Sequence, residues 1–376
     1  MKTSFLQTLR LPAGLAFLAC AALAGCGGGS GGAPAAAPPV AVTPVPTPAP
    51  TPSQQAQVTV IAGTKHDDGV PVAFKDGKGT MASFNRPEHF VLDKNGVIYA
   101  TDACGIRKIA TDGTVSTLAG AGAECDTSVD GTGAEARFTT LTGMTADAAG
   151  NLYVAEYGAI RRVTPEGVVT TLAGGVRSRD QQDGIGAGAT FYTILALDIG
   201  PDGNLLVSDG EYVGRDRESP KCGPGANRLR QVTLQGVVTT LPESVLGCVA
   251  GAEEAPLALA VGLRFDSIGN LYLFHGHHLV KRDVDGSARY LNNEKGERIY
   301  AGGMPGVEAL KLAPDDAGSL FYLDSYSLYK LAPDGSHTIP LDIDTVGARR
   351  VRGLTYIGNH QFLTAFDNQI VKVTLK

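Results

Sequence analysis

Four carboxylates recur at matching positions of a degenerate repeat, each at the end of a short predicted strand. They are Asp102, Glu156, Asp209 and Asp324, and His275 occupies the matching position of another copy. Because matching positions of a repeat lie on one face of a fold, we expect these side chains to surround one opening. A ring of acids would hold a cation such as Ca²⁺ or recognise a basic or hydroxylated ligand.

A second interpretation of these acids is structural. Each acid would cap its own turn or pair with an arginine of its own repeat, and exposed ion pairs of this kind are common and weak. The arginines concerned are Arg107, Arg161 and Arg230.

The densest group of histidines is His275-Gly276-His277-His278. Neutral imidazoles close in sequence are frequent metal ligands. The group lacks the helical spacing of a zinc motif, and the chain contains no HExxH, so a solvated loop is the alternative. A GxSxG nucleophile motif is also absent, and the glycine-rich DGxG loops have no following helix that would bind phosphate.

The repeat that positions these residues is marked by a loop of the form DGxGxxAxF. It occurs at Asp76 to Phe84, Asp130 to Phe138 and Asp183 to Phe191, so that successive phenylalanines are 54 and 53 residues apart. We interpret the loop as a tight turn that carries the chain to the next unit, with its phenylalanine wedged between units. A strand and turn such as IRRVTPEG can be traced in six copies, which begin at Ile106, Ile160, Leu229, Leu279, Leu328 and Ile370.

Units of roughly 40 to 60 residues with four short strands and glycine turns are typical of β-propeller blades. The sequence therefore predicts an all-β, six-bladed β-propeller over residues 58–376. The sixth copy ends after its third strand, at Lys376, whereas Val58 to Gly63 resembles a fourth strand. Pairing of this segment with the last blade would close the ring and remove its open edges.

The motifs DGxGxxAxF, GNLYVAE, IRRVTPEG and VVTTLAG together resemble the NHL repeat family of six-bladed propellers. The resemblance is strongest in the first two blades and weakest in the last three, and it bears on fold more than on function. An amidating lyase built on such repeats holds zinc with histidines from several blades. The positions in register here, which we expect to face the central channel, are His89, Gly143, Ala196, Gly262, Lys311 and Gly353. One imidazole does not make a zinc site.

Four cysteines remain once two N-terminal ones are set aside, and an even number in an exported chain favours disulfides. In propeller topology Cys104 and Cys125 belong to loops on one face of blade 1, and Cys222 and Cys248 occupy the equivalent loops of blade 3. Of the three possible connectivities we expect Cys104 with Cys125 and Cys222 with Cys248. The insertion from Glu211 to Asn227 lies on the same face and is a candidate for partner recognition.

The N-terminus has the charged, apolar and small-residue regions of an export signal over residues 1–25. Leu23-Ala24-Gly25-Cys26 resembles the lipobox of bacterial lipoproteins, which implies lipidation of Cys26, although an ordinary cleavage site with an incidental cysteine is the alternative. Gly27 in place of Asp favours the outer membrane or cell surface. Residues 26–57 are rich in Gly, Ala and Pro, and we expect a disordered tether.

The net charge is −6 without a basic block, which argues against a nucleic-acid-binding surface. We expect a monomeric, lipid-anchored module that binds a protein or glycan partner. No cofactor follows from the motifs, although the ring of acids leaves Ca²⁺ open. The alternative is a metal-dependent hydrolase or lyase, lactonase-like, with its site at the channel mouth and with His89 or His275 joining the acids.

Overall fold

The computed structural model describes residues 56–66, 73, 75–120, 125–210, 226–242, 260–275, 278–299, 311–323 and 327–376. These residues form six antiparallel sheets, which are the blades of a β-propeller. Within the described ranges no helix is long and apolar enough to cross a membrane. The predicted signal, Cys26 and almost all of the predicted tether lie outside these ranges.

The strands follow the chain in blade order. The first is β1 (Gln57–Ala62), and blade 1 contains β2 (Gly77–Lys78), β3 (Pro87–Leu92), β4 (Ile98–Asp102), β5 (Gly105–Ile109) and β6 (Thr114–Ala119). Blade 2 contains β7 (Gly131–Thr132), β8 (Leu141–Ala146), β9 (Leu152–Glu156), β10 (Ala159–Val163) and β11 (Val168–Gly174). Blade 3 contains β12 (Gly184–Ile185), β13 (Ile194–Ile199), β14 (Leu205–Asp209), β15 (Arg228–Val232) and β16 (Val237–Thr240).

Blades 4 to 6 have four strands each. Blade 4 contains β17 (Ala260–Phe265), β18 (Leu271–His275), β19 (His278–Arg282) and β20 (Ala288–Tyr290). Blade 5 contains β21 (Lys311–Pro314), β22 (Leu320–Leu323), β23 (Ser327–Leu331) and β24 (His337–Asp342). Blade 6 contains β25 (Val351–Tyr356), β26 (Gln361–Phe366) and β27 (Gln369–Thr374), with β1 as its fourth strand.

The ring closes as the sequence predicts. Strand β1 pairs antiparallel with β27, with Val58 opposite Val373 and Val60 opposite Val371. The N-terminal and C-terminal ends of the propeller therefore share one sheet, which leaves blade 6 without an unpaired outer edge at β27.

The DGxGxxAxF loops are the joints between neighbouring blades. Each contains a single 3₁₀ turn, at Gly79–Met81, Gly133–Glu135 and Gly186–Gly188. Phe138 is fully buried and packs with Tyr99 and Ile106 of blade 1 and with Leu141 and Met144 of blade 2. The prediction that these phenylalanines wedge between blades is confirmed.

The turns between the first and second strands of several blades are fixed by an aspartate. The carboxylate of Asp93 accepts hydrogen bonds from the backbone N–H groups of Asn95 (2.8 Å) and Val97 (2.9 Å). Gly96 between them has φ of +79°, a conformation that favours glycine. These turns, together with those between the third and fourth strands, define one end of the propeller, which we call the hairpin face. The opposite end, where the second strands finish and blades connect, is the mouth face.

The innermost strands carry irregularities that aim side chains at the channel. The pairing register shifts between Pro87 and Phe90 in β3, and comparable shifts occur in β8, β13, β17 and β25. A bulge re-aims a side chain and increases local twist. His89 lies within the shifted segment of β3.

Candidate functional site

The predicted acids of blades 1 to 3 are buried in ion pairs with the arginines of their own blades. Arg107 donates from Nη1 to Asp102 Oδ2 at 2.9 Å and from Nη2 to Asp76 Oδ1 at 2.9 Å. Neither Arg107 nor Asp102 exposes any of its side chain. Asp102 also accepts a backbone hydrogen bond from Asn85 at 2.6 Å, which fixes the chain at the entry to β3.

The same arrangement repeats twice. Arg161 bonds Glu156 at 2.6 Å and also pairs with Asp130, whereas Arg230 bonds Asp209 at 3.0 Å and Asp183 at 2.8 Å. Each guanidinium also lies over a DGxGxxAxF phenylalanine, with Arg107 5.0 Å from the centroid of the Phe84 ring. The acid, the arginine and the loop aspartate thus form one internal brace in each of these blades, which we call the Arg–acid brace.

Burial governs the electrostatics of the brace. Desolvation raises the pKa of Asp102 to about 7, while the Arg107 charge and the Asn85 N–H oppose the rise. Desolvation also raises the pKa of Asp209 against the opposing charge of Arg230. The guanidinium groups of Arg107 and Arg230 therefore favour the charged forms of Asp102 and Asp209, which burial disfavours. The pairing with arginines of the same blade agrees with the structural interpretation of the acids, but the pairs are buried, whereas that interpretation has them exposed.

The matching position of blade 4 is also engaged within its own blade. Nδ1 of His275 shares a hydrogen bond of 2.7 Å with the Tyr290 hydroxyl. The ring of His278 packs edge-on against Tyr290, with ring centroids 5.9 Å apart. The guanidinium carbon of Arg298 lies 4.0 Å from the centroid of the Tyr290 ring. Asp324 and His277 lie outside the described residues.

The central channel narrows to a cavity of about 50 Å³ lined by the innermost strands. Five of the six predicted channel positions line it: His89, Gly143, Ala196, Gly262 and Lys311. At the sixth, a Cβ on Gly353 would lie 1.8 Å from the Glu88 carbonyl oxygen, and Leu354 lines the cavity instead. The predicted register is confirmed at five positions and is one residue off at the sixth, where β25 packs directly on β3.

Two ion pairs beside this cavity each join residues of different blades. Lys311 Nζ lies 2.9 Å from Glu88 Oε1, and Arg264 Nη1 lies 3.3 Å from Asp198 Oδ1. Burial, together with the charge of Lys311, lowers the pKa of His89 to about 3, although Glu88 acts in the opposite direction. Burial opposes ionisation of Glu88 as well, yet Lys311 and His89 hold its pKa at about 2. His89 is therefore neutral at physiological pH beside an ionised pair.

A groove of about 740 Å³ opens on the hairpin face between blades 1 and 2 and reaches the end of the central channel on that face. Its apolar wall includes Tyr99, Met144 and Leu152, which are each at least nine-tenths buried. Its rim includes Lys94, Asn95 and Lys108, whose side chains have no hydrogen-bond or ion-pair partner among the described residues. The sequence does not reveal this groove because its lining side chains come together from two blades, and motifs such as GNLYVAE that contain some of them indicate only turns and core.

A separate cluster of arginine and tyrosine lies on the mouth face between blades 2 and 3. Arg177 lies over the rings of Tyr192 (4.5 Å) and Tyr157 (5.5 Å), and it donates from Nε to the Tyr192 carbonyl at 2.7 Å. Arg179 lies 4.9 Å from the Tyr192 centroid and donates to its hydroxyl at 2.9 Å. Tyr157 is 41% exposed. We call these four residues the Arg–Tyr surface.

The Cys104–Cys125 disulfide is present, with Cα atoms 5.3 Å apart, and confirms the first predicted pairing. Cys222, Cys248 and most of the Glu211 to Asn227 insertion lie outside the described residues. In the part of the chain that the structure describes, no group of three or more His, Cys, Asp or Glu side chains is arranged to hold a metal ion.

Comparison with known proteins establishes the fold. No family model matches the chain. Human teneurin-4 is 24% identical over 332 residues, which is 80% of this chain but 11% of the length of teneurin-4. An auxiliary nutrient binding protein from Bacteroides thetaiotaomicron superposes with a TM-score of 0.55 at 12% identity, over 85% of this chain and 76% of that one. A gluconolactonase from Xanthomonas campestris superposes with a TM-score of 0.53 at 14% identity, over 85% and 90% of the two chains.

Proposed function

We propose that this chain is a lipid-anchored, extracytoplasmic binding module that holds a protein or glycan partner in the hairpin-face groove. The observation that carries the proposal is the groove itself. Its volume of about 740 Å³ falls within the range of ligand sites, which is roughly 300 to 1,000 Å³. The fold that the chain shares with a nutrient binding protein is compatible with such a role.

The groove combines an apolar wall with several charged lining residues, among them Asp93, Asp147, Asp198 and Arg264, and ligand sites commonly pair an apolar surface with polar groups that fix orientation. Tyr99 is 5% exposed, so it contributes only an edge of its ring to the groove, while Lys94, Asn95 and Lys108 offer donors at the rim. Convergent polar groups beside an apolar wall are the features that orient a bound ligand.

The walls of the groove are held in place before any ligand binds. Asp147 accepts backbone hydrogen bonds from Ala149 and Asn151, each at 2.9 Å, and a bond from the Tyr153 hydroxyl at 3.0 Å. Burial opposes the ionisation of Asp147, but the Asn151 hydrogen bonds lower its pKa overall. A preorganised turn reduces the entropy lost on binding.

The experiment is a comparison of two matched tryptophan variants. Ala149 and Ala317 occupy equivalent turn positions, since each donates its N–H to the aspartate two residues earlier. Only the turn of Ala149 lines the groove. Glycan-array binding and pull-down from envelope extract are expected to be lost in Ala149→Trp and retained in Ala317→Trp. Equal binding by both variants would exclude the groove as the ligand site.

The mouth face is the competing location for the ligand, since the acids, His89 and His275 were expected to act there. The Arg–Tyr surface adds exposed aromatic and guanidinium groups of the kind enriched in protein interfaces. A variant with Arg179→Ala and Tyr192→Ala tests this location in the same assays. Loss of binding in that variant, with binding retained in Ala149→Trp, would move the site to the mouth face.

A propeller enzyme of the metal-dependent lactonase or lyase class is the second candidate, and the gluconolactonase likeness is the observation that favours it. Metal analysis of the purified protein separates the two candidates. Stoichiometric Ca²⁺ or Zn²⁺ that is lost in Asp102→Ala or Glu156→Ala, while the variant remains folded by circular dichroism, would support the enzyme. Metal content that is negligible, or unchanged in these variants, would argue against a site built on the acids.

The anchor at Cys26 is tested separately by labelling with radioactive palmitate. Incorporation into the wild type and not into Cys26→Ser is the expected result. A wild type that incorporates no label would leave the chain as an exported protein without an anchor.

A further inference from the structure

The central cavity contains the buried imidazole of His89, which has no role in the features described above. His89 is 7% exposed and lines the cavity, and neither of its ring nitrogens has a hydrogen-bond partner among the described residues. Its backbone is held by a hydrogen bond from His89 N to the Thr101 hydroxyl at 3.0 Å, which fixes the bulged segment of β3. Buried polar groups are normally paired, so an unpaired one that faces a cavity indicates a ligand or water there.

The other polar groups that line the cavity make it electropositive. Its two charged lining residues, Lys311 from β21 and Arg264 from β17, are both cations. Their carboxylate partners, Glu88 and Asp198, do not line the cavity. The remaining wall is made of glycine, alanine, leucine and one threonine. In such low-dielectric surroundings a charge acts more strongly than it does at the surface.

The cationic character also shows in the charged groups that face His89. Lys311 and Arg264 disfavour protonation of its ring, and Glu88 on its own strand favours it. Arg352 on β25 acts on Glu88 as well, so that three cations face two carboxylates in this part of the channel. A metal cation would be repelled by Lys311, whereas an anion would be attracted.

The cavity has room for a small ligand only. Its volume of about 50 Å³ exceeds the roughly 10 to 15 Å³ that a single water requires. It is far smaller than the roughly 300 Å³ of a typical site for an organic ligand. An anion of one to four heavy atoms, such as chloride, formate or nitrate, matches this size.

We propose that the central cavity binds one small monovalent anion, held by His89, Lys311 and Arg264. These residues come from blades 1, 5 and 4, so the anion links three blades across the channel. Arg264 also lines the hairpin-face groove, but the proposal does not depend on which partner the groove binds. Because the anion and a proton on His89 attract each other, binding of the anion and protonation of the imidazole are coupled, each strengthening the other by the same factor.

The test uses nuclear magnetic resonance of the full chain with ¹⁵N-labelled histidine. Nitrate is titrated at constant ionic strength against sodium gluconate, whose anion is too large for the cavity. The His89 ring signals, assigned with His89→Gln, are expected to shift and saturate at millimolar nitrate, and the His89 pKa is expected to rise when nitrate is bound. Ring signals that do not move, or that drift without saturation together with those of other histidines, would overturn the proposal.

A paired variant tests the role of the cation without leaving a lone carboxylate. Glu88→Gln combined with Lys311→Gln removes both charges of one ion pair, and the affinity for nitrate is expected to fall at least tenfold. The control is Lys78→Gln with Asp112→Asn, which removes a pair of exposed charges 3.2 Å apart on the outside of blade 1. Unchanged affinity in the cavity variant would contradict the proposal.

Diffraction provides a readout that does not depend on any variant. Bromide scatters anomalously, and crystals of the wild type transferred to bromide are expected to show a peak between His89, Lys311 and Arg264. A cavity that contains water alone under these conditions would overturn the proposal.

Discussion

Arg107 Nη1 lies 2.9 Å from Asp102 Oδ2, and neither side chain is exposed to solvent. The pair joins the middle of β5 to the end of β4, and the second Nη of Arg107 reaches the loop that enters the blade. The acid that marks the end of the second strand is therefore part of the joint between blades. The same geometry in blades 2 and 3 makes the Arg–acid brace a repeated structural element.

The first prediction concerns the stability of this brace. Asp102→Ala leaves the Arg107 charge buried with one partner fewer, and removal of one partner of a buried pair costs about 3 to 5 kcal/mol. Equilibrium unfolding in urea is expected to show a loss of this size. The control is Asp112→Ala, whose exposed carboxylate accepts hydrogen bonds from Thr114 and Lys78, and a much smaller loss is expected there. Equal stability of the two variants would contradict a structural role for Asp102.

The second prediction concerns the pH dependence of stability at His89. Its pKa is about 3 in the folded protein and 6.5 as the ordinary value. Between these pH values His89 is protonated more readily in the unfolded chain than in the folded protein. The free energy of unfolding is therefore highest above pH 6.5 and decreases as the pH falls. Each pH unit in this window costs about 1.4 kcal/mol.

The measurement compares the wild type with His89→Gln by urea unfolding in gluconate buffer across this pH window. The wild type is expected to lose stability more steeply than the variant as the pH falls from about 6.5. Glu88 contributes in the same direction in both proteins, but only below its ordinary value of 4.5, since its folded pKa is about 2. Parallel pH profiles above that value would contradict the placement of a neutral His89 in the channel.

The third prediction concerns the disulfide of blade 1. The Cys104–Cys125 bond closes a loop with a sequence separation of 21 residues. In the loop-entropy model its removal costs about 3 kcal/mol. Cys104→Ser with Cys125→Ser is expected to lower the free energy of unfolding by this order, measured without reductant. If the wild type already has free thiols at these positions by mass spectrometry, the pairing is wrong.

The fourth prediction concerns ring closure. Deletion of residues 56–63 removes β1 and exposes the edge of β27, and unpaired edges promote association. The truncated protein is expected to melt at a lower temperature and to aggregate on size-exclusion chromatography. Deletion of residues 27–55, which keeps β1, is the matched control and is expected to behave as the wild type. Equal behaviour of both truncations would contradict closure through β1.

The repeat predicted the fold because its signals are local. Glycines such as Gly96 adopt the positive φ that the turn requires, and the DGxGxxAxF phenylalanines fill the joints between blades. The spacing of these residues also placed His89 and Lys311 at the channel, because register within a blade follows from strand alternation.

The candidate site was harder to predict because it depends on which groups from different blades meet. The sequence left two interpretations of Asp102 open. The choice between them depends on the distance from Asp102 to Arg107, which the order of residue types along the chain does not determine. The hairpin-face groove depends on the side chains of Tyr99, Met144 and Lys108 converging from two blades. Residues of this kind are ordinary in each strand and become a site only through packing.

Comparison of partner binding by Ala149→Trp and Ala317→Trp is the most direct test of a ligand site in the hairpin-face groove. Both substitutions place an indole on an exposed turn that is braced by an aspartate, and only the first enters the groove. We predict that Ala317→Trp binds as the wild type does and that Ala149→Trp loses binding by at least tenfold while keeping its melting temperature. Full binding by Ala149→Trp would contradict a ligand site in the groove.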